Sequence, residues 1–213
     1  MGKNLAARVS RVSGLKLQDV REYLDECDRV LLSALDDVAV SAPDAGGWTA
    51  PQILDHLNRT EMLMYPIWSL VPRLRRFPRA MRLIDRVNSG LWRLAGMRTV
   101  VPSARLEPGN AEEGRFRAPV FLQPPSASVT LAELIGRRRE IRGHTMVAVN
   151  RLDEDTLNSL RWSHPLLGPY SLIEFVQFLG VHERRHVAQI RRLRSDSIGQ
   201  TGGAKGFSSA LRP

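Results

Sequence analysis

Apolar residues recur at helical spacing along most of the chain, and the strict alternation of half-buried strands is scarce. From Leu17 to about Val40, the residues Val20, Leu24, Cys27, Leu31, Leu35 and Val38 fall on one stripe, which Ser-Ala-Pro-Asp-Ala-Gly-Gly at 41–47 then breaks. A second helix opens at Thr49. Gln52 stands three residues on, so each side chain can satisfy a backbone N–H of the other's residue. Trp48 and Ile53 hold the positions of a hydrophobic staple, and Pro51 lies in the first turn, where its missing N–H does no harm. This helix continues past His56 and Leu63 until Pro66 and Pro72 bend or end it, and a basic helical stretch follows over about Arg79 to Ala95.

From Thr99 to Ser128 the chain is rich in Pro, Gly and Glu and has no firm period. It reads as a long crossover with a short extended piece at Ala118 to Leu122. A third core helix opens at Thr130 with Glu133, flanked by Val129 and Leu134, and runs to about Leu152. A fourth opens at Ser171 with Glu174, flanked by Tyr170 and Phe175, and runs to about Arg194. Residues 1–16 and 195–213 read as tails, and the small, polar stretch from Gly199 to Pro213 is expected to be disordered. Core helices of about 20 to 25 residues, each about 30 to 37 Å long, cannot stay stable alone with one apolar face in water. The predicted fold is therefore all-α, a four-helix bundle over residues 17–194. The long crossover after the second helix argues against a simple up-down-up-down order.

Composition narrows this picture without changing it. The chain has 213 residues, of which 43% are hydrophobic and 25% charged, the balance of one ordered domain. No stretch approaches the roughly 18 apolar residues that cross a bilayer, and no apolar run follows the charged N-terminus. Gly2 suits N-myristoylation, but Ala6 stands where Ser or Thr is wanted. A single cysteine, Cys27, excludes an intrachain disulfide, and the cytoplasm is the expected address. The formal charge is +9, yet only Lys3, Lys16 and Lys205 of the 31 basic residues are lysine. The densest basic segment, Arg73 to Arg98, has Asp85 as its sole acid, lacks regular aromatic interleaving and matches no nucleic-acid motif. It reads as a solvated helical face, with a surface that attracts anionic membrane or nucleic acid as the lesser alternative, so neither partner is expected.

The chemistry concentrates in His182-Glu-Arg-Arg-His186. An i, i+4 pair shares one face of a helix, so both imidazoles can reach one ion. The same stripe carries Phe175, Phe178, Leu179, Ile190 and Leu193, which makes it the core face. Two readings stand: a divalent ion that takes the lone pairs, or two hydrogen-bonded histidines. His56, inward on the second helix among Ile53, Leu57, Thr60 and Leu63, is the candidate third ligand. The spelling His-Glu-x-x-His also matches the zinc-protease motif, but no Glu or His follows His186 to complete that site, and Gln189 and Arg192 replace the Gly and His of its extended form. Glu183 and Gln189 are candidates for orienting a ligand or reactant. Glu183 reads equally as a surface ion-pair partner of a nearby arginine. His164 fits a structural turn before the fourth helix, and His144 a plain helical position. Cys27 fits a small core residue, and Trp68 and Trp92 the core or a pocket cover. No phosphate loop, dinucleotide fingerprint or serine elbow is present.

Two segments together resemble the DinB-like (damage-inducible) superfamily. Gly47-Trp48-Thr49-Ala50-Pro51-Gln52-Ile53-Leu54-Asp55-His56-Leu57 is similar to its second-helix motif. His164-Pro165-Leu-Leu-Gly168, Leu172-Ile-Glu-Phe and His182-Glu-Arg-Arg-His186-Val-Ala-Gln189-Ile190 are similar to its C-terminal motif. The resemblance spans about Leu17 to Arg194, and the piece between Pro72 and Leu122 departs from the shortest members. It implies an up-down-down-up bundle in which His56, His182 and His186 hold one divalent ion, zinc or nickel. Characterised relatives are thiol S-transferases and isomerases using bacillithiol, mycothiol or glutathione; many others have no known activity, and many are homodimers. The implied function is a metal-dependent transferase-like enzyme that activates a low-molecular-weight thiol, with a small-molecule thiol or electrophile as partner and a homodimer as a possible assembly. A hydrolase at the same ion, or a non-catalytic metal-binding stress protein, remain the alternatives.

Overall fold

The computed structural model of the chain describes residues 17–36, 47–74, 76–94, 122–123, 129–164 and 168–202. Its elements are helices α1 (Leu17–Asp36), α2 (Ala50–Met62), α3 (Tyr65–Leu74), α4 (Pro78–Leu94), α5 (Leu131–Asn150) and α6 (Glu154–Ser159), strands β1 (Arg161–His164) and β2 (Gly168–Ser171), and helix α7 (Leu172–Gly202). The long helices are α1, α2, α5 and α7. Helix α1 packs on α7, α2 on α5 and on α7, and α5 on α1, so the four close a ring around a common core.

The helix starts are where the side-chain chemistry puts them. Thr49 accepts from the Gln52 backbone N–H while the Gln52 side chain accepts from the Thr49 N–H, and Pro51 sits in the first turn. Thr130 with Glu133, and Ser171 with Glu174, repeat the reciprocal pair. The ends differ more. Pro66 and Pro72 do not end helical structure: α2 stops at Met62, and both prolines lie within a separate helix, α3. Before the fourth core helix the chain forms a two-stranded antiparallel hairpin, with Trp162 opposite Tyr170 and His164 opposite Gly168, where a plain turn was expected. Helix α7 continues to Gly202, beyond the end at about Arg194 that the periodicity predicts. Gly199 alone does not break it, since one glycine costs only about 1 kcal/mol in a helix. Of the extended piece at 118–122 only Leu122 is described, and it lies in a tight turn with its side chain buried. The crossover apart from residues 122–123, the stretch 37–46 in which the first helix was expected to end, and residues 1–16 and 203–213 lie outside the described residues.

The core falls into two apolar halves with a charged layer between them. One half joins Val20, Leu24, Trp68, Val149, Leu172, Phe175 and Leu179; the other joins Leu31, Leu35, Ile53, Leu57, Leu134, Val187 and Ile190. On each long helix, the residue that interrupts the apolar run is charged and buried or nearly so. These are Asp28 on α1, Glu61 on α2, Arg138 and Arg142 on α5, and Glu183 on α7. Arg138, 1% exposed, donates to all three acids: Nε to Asp28 (2.8 Å), Nη1 to Glu61 (2.7 Å) and Nη2 to Glu183 (2.6 Å). Arg142 pairs with Glu61 (3.1 Å) and with Glu183.

Helices α1 and α7 approach closely at Gly180. A Cβ added there would overlap the phenol ring of Tyr23, whose hydroxyl donates to the Gln177 carbonyl. Tyr23 is itself buried, so the ring has no easy retreat. Gly180→Ala is expected to destabilise the fold by about 1–3 kcal/mol, measured by urea denaturation, although alanine is the better helix former.

Candidate metal centre

His56 lies two turns into α2, its depth fixed by the Thr49 cap, and His182 and His186 lie one turn apart on α7. Because α2 packs on α7, the three rings meet. His56 Nε2 is 3.2 Å from His182 Nε2, and His186 Nε2 is also 3.2 Å from it. One donor nitrogen from each residue falls within 4.8 Å of the other two, and among the described residues no fourth His, Cys, Asp or Glu joins the group.

The protonation pattern follows from what lies behind each ring. His56 Nδ1 is 2.9 Å from the Leu122 carbonyl, which can only accept, so Nδ1 carries the proton and Nε2 the lone pair. His186 Nδ1 donates in the same way to Gln189 Oε1 at 3.0 Å. Burial pushes the pKa of His56 down, against the Leu122 contact and the Asp55 charge. Burial, then the neighbouring His56, takes His186 down to about 4. Both rings are thus neutral at pH 7. Trp48 stacks on His186 (6.4 Å between centroids, 15° between planes) and tilts against His56 (4.9 Å). Phe178 stacks on His182 (5.5 Å, 9°).

This donor set fits a small divalent cation. Two lone pairs aim at the Nε2 of His182, which as a donor could satisfy only one of them, whereas a cation at the centre satisfies all three. Tetrahedral coordination at about 2.0–2.1 Å separates ligand nitrogens by about 3.3 Å, close to the 3.2 Å from His182 to each of the other two rings, while the His56 and His186 nitrogens lie within 4.8 Å of each other. Nδ1 atoms tied to a carbonyl and an amide oxygen are the outer partners that metal-bound imidazoles require. Three protein donors leave a tetrahedral ion one open position.

The other sequence candidates separate cleanly. Glu183 is not on the surface: it is 2% exposed and held by Arg138 and Arg142 from α5. Burial alone would raise its pKa, but the two guanidiniums outweigh burial and hold it below the usual carboxylate range. Gln189 does orient a ring of the cluster. Cys27 is a buried core residue whose thiol burial pushes up to about 12, which rules out a ready thiolate. His144 is exposed, packs edge-on to Tyr65 (5.4 Å) and lies away from the cluster. Trp68 is core, against Phe175. The side chains of His164 and Trp92 lie outside the described residues. Sequence reasoning missed Leu122, which acts through its backbone carbonyl and so gives no side-chain signal. It also placed Trp48 as a staple and Phe178 as core, without seeing that both also cover the cluster.

A family model for the DinB superfamily matches residues 17–190. An uncharacterised protein of Bacillus subtilis (strain 168), YuaE, is 20% identical over 152 residues, covering 71% of this chain and 80% of that protein. No solved structure matches the chain at a significant level. With its capped second helix, its paired histidines on α7 and a match over most of its length, the chain belongs to the DinB superfamily.

Proposed function

We propose that His56, His182 and His186 hold one divalent ion, zinc or nickel, and that the protein is a metal-dependent transferase-like enzyme acting on a low-molecular-weight thiol. The observation that carries this reading is the convergence of three imidazole nitrogens, two of them fixed from behind, with no fourth protein donor among the described residues. Such an ion supplies Lewis-acid chemistry at its open position, where a bound thiol or water is more acidic than in bulk solvent. The chain's own residues provide the rest. Leu122 and Gln189 hold the ring orientations, Trp48 and Phe178 exclude water from two sides, and the buried charge layer sets the spacing of α2 against α7. We read the bundle as up-down-down-up, supported by the two core halves. The earlier parts of α1 and α7 (Val20, Leu24; Leu172, Phe175) share one half with the later part of α5 (Val149). Their later parts (Leu31, Leu35; Val187, Ile190) share the other with the earlier parts of α2 and α5 (Ile53; Leu134).

Gln189→Ala removes the acceptor behind His186, and metal affinity is expected to fall about 10–100-fold, read by competition with a chromophoric chelator. The functional test is a conjugation screen. Purified chain loaded with zinc or nickel is mixed with glutathione, bacillithiol or mycothiol and a chromogenic electrophile. Thiol consumption that stops on chelation and in His182→Ala is the expected result. Metal-dependent ester or amide hydrolysis without thiol turnover would make the protein a hydrolase. Neither activity, with a fold that melts on chelation, would make the ion a structural tie between α2 and α7.

A further inference from the structure

Among the described residues, helix α4 is held to the fold along one side. Met81 is buried and Ile84 packs against the core. Asp85 accepts from the Ser163 backbone N–H (2.7 Å) and hydroxyl (3.0 Å), and Asn88 donates to the Ser163 carbonyl (2.9 Å). These four residues occupy positions i, i+3, i+4 and i+7, so they share one face. The opposite face carries Arg79, Arg82, Leu83, Arg86 and Val87, all exposed, with Arg76 and Phe77 exposed just ahead of the helix. Leu83 is 62% exposed, Val87 55% and Phe77 59%, and a Cβ added at Gly90, on the same face, would meet nothing within 4 Å.

At 3.6 residues per turn the outer residues fan over about 140° of the helix surface, the arginines on one strip and Leu83 with Val87 on the next. The one acid of the segment is turned inward and engaged, and among the described residues no carboxylate pairs with the outer guanidiniums. A purely solvated face explains the arginines but not two exposed aliphatic residues and a phenylalanine beside them. Nucleic acid would meet the charge and Phe77 could stack on a base, yet a phosphodiester backbone gives the strip of Leu83 and Val87 no apolar phase. The headgroup region of a bilayer accommodates both strips, with aliphatic side chains toward the acyl boundary and guanidiniums at the phosphates. Among the described residues no helix is long and apolar enough to cross a membrane, so contact would be with the surface.

We propose that the outer face of α4 docks on the surface of an anionic lipid bilayer, revising the expectation that this segment has no membrane partner. The test is co-sedimentation of the full chain with vesicles of phosphatidylcholine alone and of phosphatidylcholine containing phosphatidylglycerol. Binding is expected only to the anionic vesicles and should weaken as salt rises. Arg82→Ala and Arg86→Ala should each weaken it roughly fivefold, and the pair Leu83→Asp with Val87→Asp by more than about tenfold. The replaced side chains are exposed, so helical circular dichroism should be unchanged; were the aspartate pair to unfold, the arginine variants decide alone. Equal binding to neutral vesicles with no effect of the arginine variants would overturn the proposal. So would salt-sensitive binding to a DNA duplex without vesicle binding, or binding to neither.

Discussion

Arg138→Met is expected to cost the fold about 3–5 kcal/mol, seen as a lower urea midpoint with an unchanged slope. Methionine approximates the arginine stem in volume, so packing is largely kept and the loss is electrostatic. Without Arg138 the Asp28 carboxylate loses its close partner, while Glu61 and Glu183, 1% and 2% exposed, keep only Arg142. Arg138 is held more firmly protonated than a free guanidinium, because Glu183, Glu61 and Asp28 together outweigh the burial that opposes its charge. Arg139→Ala, next along the same helix but exposed, is the control and should change stability by about 0.5 kcal/mol or less. Equal effects of the two variants would mean that the buried layer carries no particular weight. The layer joins all four long helices, so its loss should also loosen the spacing of α2 and α7 on which the histidine cluster depends.

His56→Ala should leave no ion on the chain after desalting, while helical circular dichroism stays near the wild-type level. The two parts of this expectation have separate causes. Two histidines from one helix remain, but the donor from α2, the only one not carried by α7, is gone. The fold does not rest on that donor, because both apolar halves of the core and the charge layer between them lie outside the cluster. Removing a ring that contacts Trp48 and the Leu122 carbonyl leaves a small cavity, and losing a buried imidazole partly offsets it. A variant that unfolds outright would point to a structural ion.

The legible parts of this molecule are those in which a local rule acts alone. Thr49 with Gln52, Thr130 with Glu133 and Ser171 with Glu174 announce three helix starts, because a cap depends only on its own turn. His56, His182 and His186 could be singled out because polar rings on apolar stripes need a partner. Helix α5 shows the opposite case. In Gly136-Arg-Arg-Arg-Glu-Ile-Arg142 nothing local distinguishes Arg138 and Arg142, which are buried, from Arg137 and Arg139, which are exposed. Their place depends on acids supplied by three other helices, a tertiary fact that hydrophobic periodicity reads with the wrong sign. For the same reason the arginine pairing expected as one reading of Glu183 is present, but in the core and not at the surface. The hairpin of β1 and β2 is only four residues a side, too short for alternation to register. The Leu122 carbonyl belongs to a segment without periodicity, and backbone groups carry no residue-type signal.

The central claim, that three histidines from two helices bind one ion, is tested most directly by metal content. Wild-type chain and the His56→Ala/His182→Ala/His186→Ala variant are equilibrated with zinc or nickel, desalted and subjected to elemental analysis. One ion per wild-type chain and none on the triple variant is the expected result; a wild-type chain that retains no ion, or a variant that retains as much, would contradict it.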